Sequence, residues 1–445
     1  MKRRDFIEKT ALLSAALAAS RCGIPGPGKQ RVVILGFDGA NWPTIDPLIR
    51  KGELPFLEKL KKESAWAFFK TCKPTKSNVV WSSIASGKNM MKHGIMDFAF
   101  LKKNGIKLPY SKSQRKEPMI WQILDEYQKR SMVLNWWVSH PPDTINGVMV
   151  SDYFRLVFRR HPDKINEFAE SVYPQSYFRL FRKMVERNNY RQILEKTGLS
   201  DFHALFYQKY PEGNIKRTVT LKNYPGFVQQ DDLIERASWY LYNREQFDFF
   251  ATYLRLPDIA QHSVTHLMDK TFKKKLIEAF RNKSVTRSMI DSAVLQVSEI
   301  LAPVYRHMEQ VIKDYITHED NRNTTFFIMS DHGFSFYPGG YNHYGLPDDI
   351  PAPDGFLMVH GPQVKSGRIE NASIYDIAPT ILYLFNHAVG KEMDGRVLKE
   401  IFSFKRPTQY KRYLLKRDPS QKRDETYDRE TLRELESLGY ISSEK

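Results

Sequence analysis

Short apolar runs recur along this chain, and stretches with helical spacing lie between them. Arg31-Val32-Val33-Ile34-Leu35-Gly36, Met132-Val133-Leu134, Val148-Met149-Val150, Phe249-Phe250-Ala251-Thr252-Tyr253-Leu254, Phe326-Phe327-Ile328-Met329 and Phe356-Leu357-Met358-Val359 each have the length and content of a strand buried on both faces. Residues 57–63, 119–129 and 304–316 carry helical patterns. This alternation predicts an α/β fold, a mostly parallel sheet with helices on both faces. In such sheets active groups gather at the carboxyl ends of the strands. The 445 residues contain no apolar run of about 18, which excludes an ordinary multi-span membrane protein.

Cys22 and Cys72 are the 2 cysteines, so neither a disulfide scaffold nor a thiolate zinc module can be built. The formal net charge is +17, which draws a protein toward anions. No zinc finger, RNP pattern or basic heptad region accompanies that charge, so no nucleic-acid module is indicated. A solvated basic surface and peripheral contact with anionic membrane both fit it.

The first residues, Met1-Lys2-Arg3-Arg4-Asp5-Phe6, lead into an apolar stretch from Ala11 to Ala19. That stretch suits a signal peptide, and the Arg3-Arg4 pair matches a twin-arginine (Tat) export signal. The expectation is an exported protein of the periplasm or cell envelope. Cys22 sits where a lipoprotein signal places its acylated cysteine, although Arg21 before it departs from the small residue such signals use. Residues 1–29 are therefore assigned to signal and linker, and 30–403 to one catalytic domain. Residues 155–235 break the strand–helix rhythm with many Phe, Tyr, Arg and Lys, and are expected to form an inserted helical and aromatic cap. Residues 404–445 form a charged tail with a short amphipathic helix that docks back on the domain.

The residues just after the strands carry the chemistry. Asp38 follows the first strand, Asp258 and His262 the strand ending at Leu254, and Asp331 and His332 the strand ending at Met329; His343 lies in a Gly-rich loop soon after. An isolated Asp after a strand is often a helix cap, and an isolated His often a core residue. Six such groups at strand ends in one sheet are a different matter. Three carboxylates and three imidazoles without thiolates form a donor set for two zinc-like ions. Asp258 and His262, four apart, share one face of a helix. Ser77 precedes an apolar helical stretch, where backbone N–H groups favour an anion. It is either a helix cap or a nucleophile.

Several segments together resemble the type I phosphodiesterase/nucleotide pyrophosphatase group of the alkaline phosphatase superfamily. They are Val33-Ile34-Leu35-Gly36-Phe37-Asp38-Gly39, Pro74-Thr75-Lys76-Ser77 with Ser86-Gly87 and His93-Gly94-Ile95, Asp258-Ile259-Ala260-Gln261-His262, and Ser330-Asp331-His332-Gly333-Phe334. Residues 373–382 and Met393-Asp394-Gly395-Arg396 add family-like marks, so that most of residues 30–400 is covered. The resemblance implies an alkaline-phosphatase-like sheet and a metal-dependent phosphodiesterase. It places Asp38, Ser77, Asp331 and His332 around one divalent ion and Asp258, His262 and His343 around another, with zinc or manganese as the metal. It makes Ser77 the nucleophile of a phosphoseryl route, with backbone N–H groups of Ser77 and Asn78 on a phosphoryl oxygen. His360 competes with His343 but ends an apolar strand. Asn78, Trp81 and Phe98 are the candidates for holding a phosphorylated small-molecule or lipid substrate.

Two enzymatic alternatives share the fold, and the first of them keeps the same ligands. A phosphotransferase or phosphomutase would act on lipid or glycan headgroups. A sulfatase is disfavoured, because Ser77 lies ten residues before Gly87 as the superfamily nucleophile does, yet lacks the Pro and Arg that mark formylglycine conversion. A non-enzymatic binding protein would show a broken ligand set.

Overall fold

The computed structural model describes residues 30–159, 162–186, 189–200, 202–204, 219–337, 340–343, 350–416, 424–438 and 440–441. The expected export signal and Cys22 lie outside the described residues.

A nine-stranded sheet forms the centre. Its strands are β1 (Arg31–Phe37), β2 (Ala65–Phe69), β3 (Ser131–Leu134), β4 (Gly147–Val150), β5 (Val172–Tyr173), β6 (Phe249–Leu254), β7 (Thr324–Met329), β8 (Gly355–His360) and β9 (Gly367–Arg368). They lie in the order β9-β2-β8-β7-β1-β6-β3-β4-β5. The run β4-β3-β6-β1-β7 is parallel, whereas β8 and β5 run against their neighbours. β2 escaped the reading of the sequence because Ala65-Trp66-Ala67-Phe68-Phe69 alternates buried and half-exposed positions, as a strand toward the sheet edge does.

Alternate side chains of β1 enter different cores. Val33, Leu35 and Phe37 face a layer built on helices α1 (Trp42–Arg50), α3 (Val219–Arg244), α4 (Leu256–Val264) and α5 (Arg287–Ile316). Val32 and Ile34 face α2 (Ser77–Ser86) and the Ile377–Leu384 helix. This period of two, with both faces apolar, produces the three layers. Described apolar residues between 155 and 235, among them Phe168, Phe181 and Phe227, join the first core, and β5 extends the sheet from within this stretch. A last helix, α6 (Glu425–Ser437), starts at Asp424, whose carboxylate accepts from the N–H groups of Thr426 and Tyr427. No helix among the described residues is long and apolar enough to cross a membrane.

Register brings the central strand ends level. Gly36 of β1 stands opposite Tyr253 of β6 on one side and Met329 of β7 on the other. The chains leaving these strands therefore converge on one patch.

Candidate active site

Asp38, one residue past β1, and Asp331, two past β7, meet beside the start of α2. His332 Nε2 lies 3.3 Å from Asp38 Oδ1 and 3.3 Å from Asp331 Oδ2. The His332 ring is aimed by its Nδ1–H, which donates to the Gly333 carbonyl at 3.1 Å. Asp331 Oδ1 accepts from the Gly39 N–H at 3.2 Å. Gly39 has φ +70°, and a Cβ there would press on the Cα and Cβ of Asp258 at 3.0 Å, so the turn after β1 requires glycine. The Ser77 hydroxyl, wholly buried, sits 3.5 Å from Asp38 Oδ1. Ser77 is the first residue of α2, the helix cap position belongs to Lys76, and no side chain caps the helix.

Asp258 and His262 project from α4 one turn apart, and His343 reaches them from the loop after the Ser335–Tyr337/Gly340–Asn342 hairpin. Asp258 Oδ1 is 3.3 Å from His262 Nε2 and 3.5 Å from His343 Nε2, and the two Nε2 atoms are 3.1 Å apart. His343 Nδ1–H donates to the Thr75 carbonyl at 2.8 Å, which leaves Nε2 as the lone-pair nitrogen. The His343 ring stacks on His332 at 3.7 Å, so His332 stands within reach of both clusters. His360 is at the other end of the sheet, opposite Phe326 at the start of β7, because β8 runs antiparallel.

Whether these residues fit metal ions can be tested on their own bonding. Asp258 Oδ1, Asp331 Oδ2 and His332 Nε2 are buried without a hydrogen-bond partner. Orphaned acceptors in one pocket are costly unless a cation lies among them. The charges agree. Burial and neighbouring Asp38 push the Asp331 carboxyl well above its usual range. Burial opposes charge on His332, yet Asp331 and Asp38 outweigh it and lift the imidazole to about 9. Burial likewise opposes charge on Asp258, but His262, with His343 and His332, holds that carboxyl below its usual range. The His343 imidazole is kept well below its usual range by burial and by His332. The Asp38/Asp331/His332 half, which raises an acid and an imidazole together, is short of positive charge, which a divalent ion on oxygen and nitrogen donors would provide.

Two tyrosines complete the site, and neither was singled out from the sequence. Tyr253, in β6, donates its hydroxyl to Asp38 Oδ2 and accepts from Trp137 Nε1 at 2.7 Å. A tyrosine inside a buried strand needs a partner for its hydroxyl, and that was the available signal. Tyr440, beyond α6, donates to Asp258 Oδ2 at 2.8 Å.

The substrate candidates separate. Trp81 requires correction: it is wholly buried, packed edge-on against Trp136 and Tyr253 at 5.0 and 4.9 Å, and occupies the space a Cβ on Gly36 would need. One helical turn from Ser77, it points into the sheet and has no face open to a substrate. The Asn78 side chain is also buried and donates to the Asp97 carbonyl. Its backbone N–H, with that of Ser77, belongs to the first turn of α2, where no intrahelical acceptor exists. Phe98 is stacked flat on Tyr440 at 4.5 Å.

The sequence matches the type I phosphodiesterase / nucleotide pyrophosphatase family over residues 32–414. No curated protein matches it. Among solved structures it is similar to a 2-O GAG sulfatase, with TM-score 0.50 and 10% identity, over 83% of this chain and 73% of that one. It is similar to murine ectonucleotide pyrophosphatase / phosphodiesterase 5, with TM-score 0.46 and 9% identity, over 84% of this chain and 100% of that one. A phosphonate monoester hydrolase from Silicibacter pomeroyi gives TM-score 0.48 and 14% identity, over 86% of this chain and 78% of that one.

Proposed function

The chain belongs to the type I phosphodiesterase / nucleotide pyrophosphatase family, hydrolases of phosphoric esters, and we propose that it is an exported two-metal phosphodiesterase acting through Ser77. One observation carries this reading. The buried Ser77 hydroxyl stands at a helix start, beside a pocket of carboxylate and imidazole atoms that lack partners.

Asp38, Asp331 and His332 would hold one ion with Ser77, and Asp258, His262 and His343 the other. Bound there, zinc or manganese would supply Lewis-acid stabilisation of charge on the phosphoryl oxygens. Ser77 attacks phosphorus in line as the bond to the leaving ester oxygen breaks, and the serine proton ends on the departing alcohol. The product of this step is a phosphoseryl group. Water then attacks phosphorus, the seryl bond breaks, a phosphomonoester is released and the serine hydroxyl is restored. The amides of Ser77 and Asn78, at the positive end of α2, suit a non-bridging oxygen. The Arg3-Arg4 signal supports export, Cys22 offers a lipid anchor, and the +17 charge favours an anionic substrate or surface.

The test is hydrolysis of paired chromogenic mono- and diesters by the purified protein, with Ser77→Ala alongside and metal content measured on the same samples. Two ions per chain, diester turnover, and a loss of at least about a thousand-fold in Ser77→Ala with both ions retained would support the proposal. A preference for the monoester would make it a phosphatase. Absence of bound metal would overturn the ligand assignment.

A further inference from the structure

The C-terminal segment is built into the site. Glu434 of α6, wholly buried, bonds Arg255 Nη1 through Oε1 at 2.8 Å and Arg155 Nη2 through Oε2 at 3.0 Å. Arg255 is the residue directly before α4, the helix that carries Asp258 and His262. The Tyr427 hydroxyl donates to the Tyr110 carbonyl at 3.1 Å. Past the helix end the Tyr440 N–H returns to the Leu435 carbonyl at 2.9 Å, which ties Tyr440 to α6. Its ring lies parallel on Phe98, with an interplanar angle of 4°. Its hydroxyl is thereby delivered to Asp258.

That hydroxyl chooses one oxygen. It donates to Asp258 Oδ2 at 2.8 Å and lies 3.4 Å from His262 Nε2, while Oδ1, the oxygen that faces His262 and His343, has no hydrogen-bond partner. A phenol carries one proton, so the bond fixes the carboxylate rotation and leaves Oδ1 turned into the imidazole pair. Ligating carboxylates are commonly oriented by such outer bonds, whose loss costs roughly 10- to 100-fold in metal affinity.

We infer that Tyr440 is a positioning residue for the Asp258 carboxylate, and that helix α6 thereby forms part of the Asp258/His262/His343 metal site. This rests on the reading of those three residues as ligands of one ion.

The experiment is chelator competition on metal-stripped full-length protein, giving two successive zinc dissociation constants, with unfolding of the stripped protein measured in parallel. Tyr440→Phe keeps the ring on Phe98 and removes only the hydroxyl. It is expected to weaken one zinc ion by about 10- to 100-fold, to leave the other unchanged, and to unfold like the wild type. Wild-type affinities for both ions in Tyr440→Phe would overturn the inference. So would Tyr440→Ala being defective while Tyr440→Phe is normal, which would make the ring a packing element only. A wild-type protein that binds fewer than two ions would instead overturn the ligand reading beneath it.

Discussion

The two halves of the site are built from different kinds of structure. Asp38, Asp331 and His332 hang directly from β1 and β7, and the groups that orient them, Tyr253 and the backbone of Gly39 and Gly333, lie in or beside the same strands. Asp258 and His262 stand on a helical turn, His343 on a loop, and the group that orients Asp258 arrives from the far end of the chain. A half anchored in the sheet inherits the sheet's rigidity. A half assembled from three separate elements depends on each of them staying docked.

The largest effect should come from the ligands themselves. Asp38→Asn and Asp258→Asn should each cost more than about 100-fold in kcat/KM, beyond the range of outer-shell changes, and metal analysis should show a different ion lost in each. Loss of both ions from either variant would mean that the halves are one cooperative site.

Glu434→Gln should come next. Removing one partner of a buried ion pair leaves the others without compensation, at a cost of about 3–5 kcal/mol, and here two guanidinium groups are left. Urea unfolding would measure the loss. Zinc affinity should fall at the Asp258 half and stay constant at the Asp38 half.

Tyr253→Phe is the counterpart of the tail tyrosine in the sheet. It should weaken zinc by about 10- to 100-fold at the Asp38 half only. A drop at the Asp258 half would break the contrast between the two.

The smallest effect concerns α2, the helix that begins at Ser77. His93 Nδ1 accepts from the Ile95 N–H at 3.2 Å, so the ring is neutral and its Nε2–H meets Ser83 Oγ of α2 at 3.0 Å. Burial lowers its pKa from 6.5 to about 3. The folded state therefore prefers the neutral ring. That contribution is complete above the unfolded value of 6.5 and is lost as pH falls toward 3. At about one unit below the unfolded value the loss amounts to about 1.4 kcal/mol. His93→Gln should flatten the acid side of the stability profile of the stripped protein, measured by urea unfolding at pH 5 to 7, without shifting either zinc affinity.

Much of this was legible in the residues. The runs at 31–36, 249–254 and 326–329 announce parallel strands because both their faces are apolar, and Asp38, Asp258 and Asp331 follow them at once. Register then brings the strand ends level, so three carboxylates distant in sequence become neighbours. Trp81, a substrate candidate one helical turn from Ser77, does not reach the site, because helical phase turns it toward Gly36. Phe98 was singled out, but its stacking partner was not.

By itself, the sequence determined the central buried strands of the sheet and the positions of the candidate ligands, because these follow from periodicities of two to four residues and from what ends each strand. Only the tertiary structure decided which oxygen of Asp258 and of Asp331 is left without a hydrogen-bond partner, that His343 rather than His360 joins the cluster, and that Tyr440 closes on Asp258. Those outcomes depend on contacts across as many as 292 residues of chain. At that separation local pattern carries no information, and packing alone sets which groups meet.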